Sequence, residues 1–397
     1  MTAAMAHSAA GQRETQRARL MEAIEEIAPI LEAGEAAAEH LGRPSPEAIE
    51  ALRTAGLMRL KVPFEAGGDE ADWTLQTEVL EKVAYYSLSA AWCLMLYADN
   101  TGKACASLPE AGLGRILRGP EPAIVCGGGG LMIGELTRVA GGFRLSGRWI
   151  YGSGIPCADY AMISARISPD DEAAPGELRS VVAAVSDLEI EDNWQVMGLK
   201  GTGSCDFHAR DIFVPEELTF PAGAPSLRGG ALYRMGTFGY AGLCMPAVMI
   251  GAARRVLDEL AARAAAKARG YVRKTTLAER GVFQSFLGQA DLRLKAARQL
   301  SIATGEKLMA DTLALGRNPE ANEAEARAVG AYCSTVAIEV VNSAVAYAGG
   351  EAVREGHLFE RTLRDLHMAG THMFVSDIAY ENHAQFLMKL PGAALSV

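Results

Sequence analysis

The apolar pattern of this chain changes its period twice. Over residues 16–117, apolar positions such as Leu20, Ile24, Ile27, Ile30 and Leu31 recur every three or four residues, the repeat of a helix with one buried face. A second helical run covers 73–97, with Leu88, Ala91, Trp92 and Met95 in step. Ser45-Pro46-Glu47 reads as a helix start, Ser45 as cap and Pro46 in the first turn. The character changes at Gly119-Pro120. Between 123 and 220 short apolar stretches, among them 143–146, 160–165, 181–185 and 207–210, alternate with Gly, Pro and Asp clusters. Such spacing predicts a compact antiparallel β-domain. From Leu232 the helical pattern returns, alanine-rich with charges on one side at 247–268, then in long cap-poor runs at 282–305 and 321–348 that suit a bundle. The expected order is a helical domain over 1–118, a β-domain over 119–225 and a helical bundle over 226–397.

Bulk properties exclude several classes of function. The 397 residues allow two or three domains, and 49% hydrophobic with 22% charged residues is globular composition. A net charge of −10 argues against a nucleic-acid partner, which needs a basic stripe. No uninterrupted apolar run reaches the roughly 18 residues of a bilayer span. Residues 1–11 lack the basic-then-apolar order of a signal peptide, so no membrane role is expected. Seven scattered cysteines without a Cys-x-x-Cys pair read as reduced thiols of a cytoplasmic protein, and no metal site is expected.

Two glycine-dense segments carry the chemistry: Gly147-Arg148-Trp149-Ile150-Tyr151-Gly152-Ser153-Gly154 and Met197-Gly198-Leu199-Lys200-Gly201-Thr202-Gly203-Ser204. Glycine lacks Cβ and tolerates positive φ, so such turns bring main chain close to a flat ligand. Their hydroxyls and N–H groups can donate to the edge of a polar ring. The Gly127–Gly130 run is no phosphate loop: the Lys-Ser/Thr of that motif is missing. Nor does any Gly-x-Gly-x-x-Gly open a helix after a strand, so tight NAD(P)H binding is not expected. Near the C-terminus stands Arg361-Thr362-Leu363-Arg364-Asp365-Leu366-His367-Met368-Ala369-Gly370-Thr371-His372.

The order and spacing of these segments, with Asp211-Ile212-Phe213-Val214-Pro215 downstream, resemble the middle β-domain of the acyl-CoA dehydrogenase superfamily. The Trp-Ile-Tyr-Gly-Ser-Gly form is closer to its flavin-dependent monooxygenase branch, the two-component group D hydroxylases. That resemblance implies an α+β, acyl-CoA dehydrogenase-like fold and a homotetramer built through a C-terminal four-helix bundle. It implies the oxygenase component of a two-component enzyme, with a separate flavin reductase supplying FADH2 or FMNH2. Reduced flavin and O2 would then hydroxylate an apolar, aromatic small molecule through a C4a-hydroperoxyflavin.

The resemblance also assigns residues, each of which has a plainer reading. Ser153 would sit by flavin N5; otherwise it is a turn serine bonded to its own backbone. Trp149 would pack on the flavin or fill the β-domain core, and Thr202, Gly203 and Ser204 would line the flavin or form an ordinary glycine turn. His372 would be the catalytic histidine, an imidazole titrating near neutrality. His367, five residues earlier and about 140° away around a helix, takes a structural or flavin-contacting role. Asn100 stands where such hydroxylases carry a second histidine, which leaves room for N- or S-oxidation. Arg269, among Arg263 and Arg273, matches an arginine on the flavin phosphate, and Trp92, Leu96, Tyr97 and Met197 are candidates for lining the substrate pocket.

Two other readings compete. An acyl-CoA dehydrogenase or oxidase needs a carboxylate base, but no glutamate lies between Asp365 and Tyr380 and no carboxylate within 235–249. A relocated base would have to be Glu135 or Asp99. The other alternative is a catalytically silent paralogue, which Asn100 favours and Ser153 with His372 oppose.

Overall fold

The computed structural model describes residues 3–129, 132–168, 176–266, 268–269, 275–350 and 352–395, with backbone only for 3–10, 12, 268 and 269. Five helices come first: α1 (Ala3–Leu41), α2 (Pro46–Thr54), α3 (Trp73–Tyr86), α4 (Leu88–Ser107) and α5 (Glu110–Ile116). The Ser45 hydroxyl accepts from the Ala48 N–H at 3.3 Å and Pro46 opens α2, as its sequence predicts. Strands follow: β1 (Val125–Gly127), β2 (Ile133–Val139), β3 (Gly142–Gly152), β4 (Tyr160–Ile167), β5 (Leu178–Ala184), β6 (Glu189–Ile190), β7 (Cys205–Pro215) and β8 (Thr219–Pro221). Then come α6 (Gly236–Ala241), α7 (Cys244–Ala264), the short pair β9 (Ala268–Arg269) and β10 (Thr275–Thr276), α8 (Gly281–Leu315), α9 (Glu320–Ala348), α10 (Leu358–Ala369) and α11 (Ile378–Leu387).

The main sheet has the order β6-β7-β3-β2-β4-β5-β8, with β1 also beside β4. It is mixed rather than antiparallel, because β1 and β2 both pair with β4 in parallel. After the β2–β3 hairpin the chain crosses to the far side of β2, and β4 therefore runs in the same direction as β2. Alternating apolar residues identify strands but carry no sign of their direction, which is why the antiparallel expectation fails here.

Two register shifts mark the β3–β7 pair. Trp149 faces Phe207 and Gly152 faces Cys205, so β3 carries one extra residue there; Leu145 faces Ile212 and Gly147 faces Ala209, so β7 carries one extra residue there. A left-handed non-glycine residue sits in each bulge, Tyr151 (φ 58°) and Asp211 (φ 55°). Bulges of this kind re-aim the side chains beyond them.

By compactness the chain forms two units, one of residues 1–75, 92–195 and 200–234, the other of 76–91, 196–199 and 235–397. The expected boundaries at 118 and 225 follow secondary structure, whereas packing joins the first helices to the sheet. In the first unit, Cys93, Tyr97 and Thr101 repeat every four residues on one side of α4. There Tyr97 donates to the Gly154 carbonyl at 2.6 Å, the Val125 N–H donates to Thr101 at 3.1 Å, and Cys93 lies 3.9 Å from the Thr202 carbonyl. Lys61 and Asp99 form a buried ion pair, the ammonium also lying 5.4 Å from the Trp73 ring.

In the second unit α9 packs against α6, α7, α8, α10 and α11. Residues 76–86 of α3 belong here because α7 presses on them. A Cβ added to Gly251 would stand 2.3 Å from the Glu81 carbonyl oxygen, and Arg298 pairs with Glu81 at 2.7 Å. Gly236–Ala264 and Glu320–Ala348 are long and apolar enough in composition to cross a membrane, although neither is an uninterrupted apolar run. Most of each apolar stretch is buried within the protein, as in core bundle helices.

Candidate functional site

The first unit brings the two glycine-rich turns together. The Gly154 N–H donates to the Thr202 carbonyl at 2.8 Å, and the two turns share a chain of hydroxyls: Ser153 Oγ lies 2.7 Å from Ser204 Oγ, which lies 2.6 Å from Thr202 Oγ1. All three side chains are buried. Each of the two contacts can be donated from either side, so the three hydroxyls form one connected hydrogen-bond chain. The β3 bulge delivers Ser153 to this place, and the Ser153 N–H closes the turn on the Tyr151 carbonyl at 2.8 Å. Tyr151 itself is exposed, its ring edge-on to Trp194 at 6.1 Å.

Bare backbone is used closely around these turns. Gly154 (φ 76°) lies so near Tyr97 that an added Cβ would come within 2.2 Å of the phenol oxygen. Gly127 faces Asn100 in the same way, with an added Cβ 2.8 Å from its amide nitrogen. Asn100 donates to the Leu96 carbonyl at 2.7 Å, its amide lies against Gly127, and Leu96 is half-buried. The sequence suggested no role for the glycine run; the close approach of Gly127 to Asn100 appears only in the fold.

Several assignments need correction. Trp149 is fully buried, its indole N–H on the Ser164 carbonyl at 3.2 Å and its ring stacked on Phe207 at 5.8 Å. Gly134 and Gly147 make room for it, so Trp149 fills the sheet interior and offers no open face to a cofactor. Tyr97 is likewise fully enclosed and Trp92 nearly so, which makes them core residues of α4 rather than lining of an open pocket. Glu135 projects from the exposed face of β2 and Asp99 is committed to Lys61, so neither is placed as a relocated base. A groove of about 790 Å³ in this unit is lined by Arg53, Arg115, Arg118, Glu121, Asp159 and Tyr160, without any of the site residues above. Its charged rim does not suit a flat apolar ring.

The second unit explains the Arg-Asp motif. Arg364 pairs with Glu360 and donates to the Met197 carbonyl at 2.6 Å, while the Leu199 N–H donates to Asp365 at 2.6 Å. Leu199 is held at φ 54°, and a Cβ on Gly198 would stand 2.3 Å from the Arg364 carbonyl oxygen. Arg364 and Asp365 thus fix the Met197–Leu199 segment, leaving the Met197 side chain exposed.

The two histidines do not share a helix. α10 ends at Ala369, and His372 caps a separate 3-10 turn, Met373–Val375, so the 140° relation between them does not apply. His367 is exposed, its Nε2 2.9 Å from Asn342 Oδ1 on α9. The His372 Nδ1 accepts the Phe374 N–H at 3.2 Å, and the Phe374 ring stands edge-on to the imidazole at 5.3 Å. Burial lowers the imidazole from 6.5 to about 4 rather than leaving it near neutrality. At neutral pH the ring is uncharged, and the donor on Nδ1 assigns its hydrogen to Nε2. His372 therefore presents an N–H donor in this state. Arg269 lies in β9 opposite Thr275, and its side chain falls outside the described residues, as does Arg273.

The first unit gathers hydroxyls and backbone N–H groups where the two turns meet, the donor types that the edge of a flavin ring requires. Residues 243–377 match the family model of the acyl-CoA dehydrogenase C-terminal domain. The chain is 28% identical over 353 residues to an indole-3-acetate monooxygenase of Pseudomonas putida, covering 89% of this chain and 88% of that protein. It is 27% identical over 263 residues to the oxygenase component of an FADH2-dependent resorcinol hydroxylase of a Rhizobium species, covering 64% and 63%. The fold resembles that of XiaF from a Streptomyces species, solved with FADH2 and glycerol, with a TM-score of 0.89 at 22% identity over 98% of this chain and 100% of that one. In sequence the chain is thus similar to flavin-dependent monooxygenases, and its fold is that of the acyl-CoA dehydrogenase-like proteins.

Proposed function

We propose that the chain is the oxygenase component of a two-component monooxygenase that hydroxylates an apolar aromatic molecule. The observation that carries this reading is the buried Ser153–Ser204–Thr202 hydroxyl chain where the two glycine turns meet. Ser153 and the backbone of the turn at Gly154 would meet the flavin edge, with Ser204, Thr202 and Gly203 behind them fixing the Ser153 hydroxyl. Reduced flavin supplies the two electrons that let one atom of O2 enter the substrate while the other leaves as water. Around it the protein's task is to hold donors still and exclude water. Within the first unit the hydroxyl chain and the Asn100 amide are the polar groups for this task; within the second, His372 offers a neutral Nε2–H, a donor suited to steadying negative charge on oxygen.

The relatives named for indole-3-acetate and resorcinol make both compounds sensible first substrates. The reductase is a separate protein, and the long helices α8 and α9 build a four-helix bundle and a homotetramer in a cytoplasmic enzyme. Exposed Leu292, Leu300, Leu313 and Tyr332 on these helices support that assembly. The test supplies chemically reduced FAD or FMN to the purified protein under O2, with each substrate, and follows hydroxylated product and hydrogen peroxide. Product without any reductase supports the reading; fast NADH oxidation by the chain alone would sink it. Light scattering reports the tetramer.

A further inference from the structure

We propose that Arg327 is the positioning residue of the His372 turn, holding the imidazole in its donor orientation; this rests on the role given to His372 above. Arg327 lies on α9, wholly buried, and its guanidinium is held from several sides. One terminal nitrogen donates to Asn382 Oδ1 on α11 at 3.1 Å, and the other donates to the Met373 carbonyl at 2.8 Å. The guanidinium carbon lies 4.4 Å from the centre of the Phe238 ring on α6. That ring stands edge-on to Phe374 at 5.1 Å. Phe374 in turn gives its N–H to His372 Nδ1 and sets its ring against the imidazole.

The guanidinium thus reaches both residues that follow His372, Met373 through its carbonyl and Phe374 through Phe238. A histidine inside a helix would take its direction from the helix. His372 stands outside one, and its direction depends on a three-residue turn. His357 shows the contrast: it caps α10 by the same Nδ1 bond, to the Phe359 N–H at 3.2 Å, but it also meets the exposed Arg263 side chain at 3.2 Å. Burying a guanidinium is unfavourable, and burial here pulls its pKa below the ordinary value. Mere filling of the space would be met better by methionine. A planar fork that binds two acceptors and stacks on a ring is what only arginine provides.

The test is a double-mutant cycle read as coupling, the product formed per reduced flavin consumed. Arg327→Met should lower coupling on the order of 10–100-fold, as expected when a reacting group is misplaced by about 1 Å. The KM for substrate should stay unchanged. In a His372→Ala background the same substitution should add no more than about a twofold further loss, because positioning has nothing left to act on. Arg327→Met with parental coupling, or with a loss that multiplies on His372→Ala, overturns the proposal. If His372→Ala alone leaves coupling intact, the role of His372 fails instead, a distinct result. Should Arg327→Met not fold, Arg327→Lys carries the same cycle. Its ammonium cannot serve both acceptors in one plane, so coupling should still fall, and parental coupling would equally refute the idea.

Discussion

Gly154→Ala tests how the flavin-side turn is held. Gly154 has φ 76°, and an L-residue in that region costs about 1–2 kcal/mol. Its new Cβ would also stand 2.2 Å from the Tyr97 phenol oxygen, 2.6 Å from Cζ and 2.8 Å from Cε1. Relieving that overlap moves the turn or the ring, typically about 1–3 kcal/mol in a packed site. It also endangers the 2.6 Å bond from Tyr97 to the Gly154 carbonyl, worth about 0.5–1.5 kcal/mol. Gly223 is the control, because it shares the same unit and nearly the same φ, 77°, with no atom within 4 Å of an added Cβ. Gly223→Ala should therefore show the backbone cost alone, and Gly154→Ala should lie about 1–3 kcal/mol below it. Urea unfolding followed by tryptophan fluorescence measures both. Adding Tyr97→Phe should rescue little, since the ring carbons still obstruct the methyl group. Equal midpoints for the two glycine variants would refute the clamp, and coupling should fall with Gly154→Ala because Ser153 moves with its neighbour.

His372→Ala should lower coupling about 10²–10⁴-fold while flavin binding and fold persist, measured with reduced flavin and O2. The imidazole titrates near 6.5 when unfolded and about 4 when folded, so the unfolded chain binds more protons between these values. Its contribution to stability is complete above pH 6.5 and is lost as pH falls toward 4, at most roughly 3 kcal/mol, and His372→Ala should flatten that part of the urea-midpoint profile. Removing one partner of the buried Lys61–Asp99 pair, as in Asp99→Ala, should destabilise by about 3–5 kcal/mol, whereas Lys61→Met with Asp99→Leu should cost much less, a comparison for thermal melts. Asp365→Ala should leave the Leu199 N–H without its acceptor, cost about 1–3 kcal/mol, and raise protease nicking at 196–199.

Much of the fold was legible because period reports it: the changes near 119 and 232 bracket the main sheet, though not the short β9–β10 pair, and Ser45 caps its helix as its sequence suggests. Strand direction was not legible, since β2 and β4 look alike whichever way they run. Ser153 and Ser204 were each marked by a motif, but their 2.7 Å approach joins residues 51 apart and comes only from the fold. Trp149 and Tyr97 were misread for a different reason: an aromatic residue beside a glycine motif has the same letters whether it faces ligand or core. His372 was read as helical because no proline marks the end of α10; Gly370 and Thr371 end it with a cap bond and a turn. Arg327 escaped notice entirely. A lone arginine among alanines on α9 reads as surface, and only its burial reveals the fork.

The Leu199–Asp365 bond also imposes an order on synthesis. Its partners are 166 residues apart, so at about 5–20 residues per second the Leu199 N–H leaves the ribosome roughly 10–30 s before its acceptor is made. Through that interval β3 and β7 can pair, but the segment between β6 and β7 has no C-terminal carboxylate on which to settle. A nascent chain stalled before residue 365 should therefore be cut by protease at 196–199 while its sheet resists, and releasing the stall should protect the segment. The Met197–Leu199 segment would then be among the last parts of the chain to set, long after the turn at Thr202 and Ser204, which Gly154 and Ser153 hold as soon as the sheet forms.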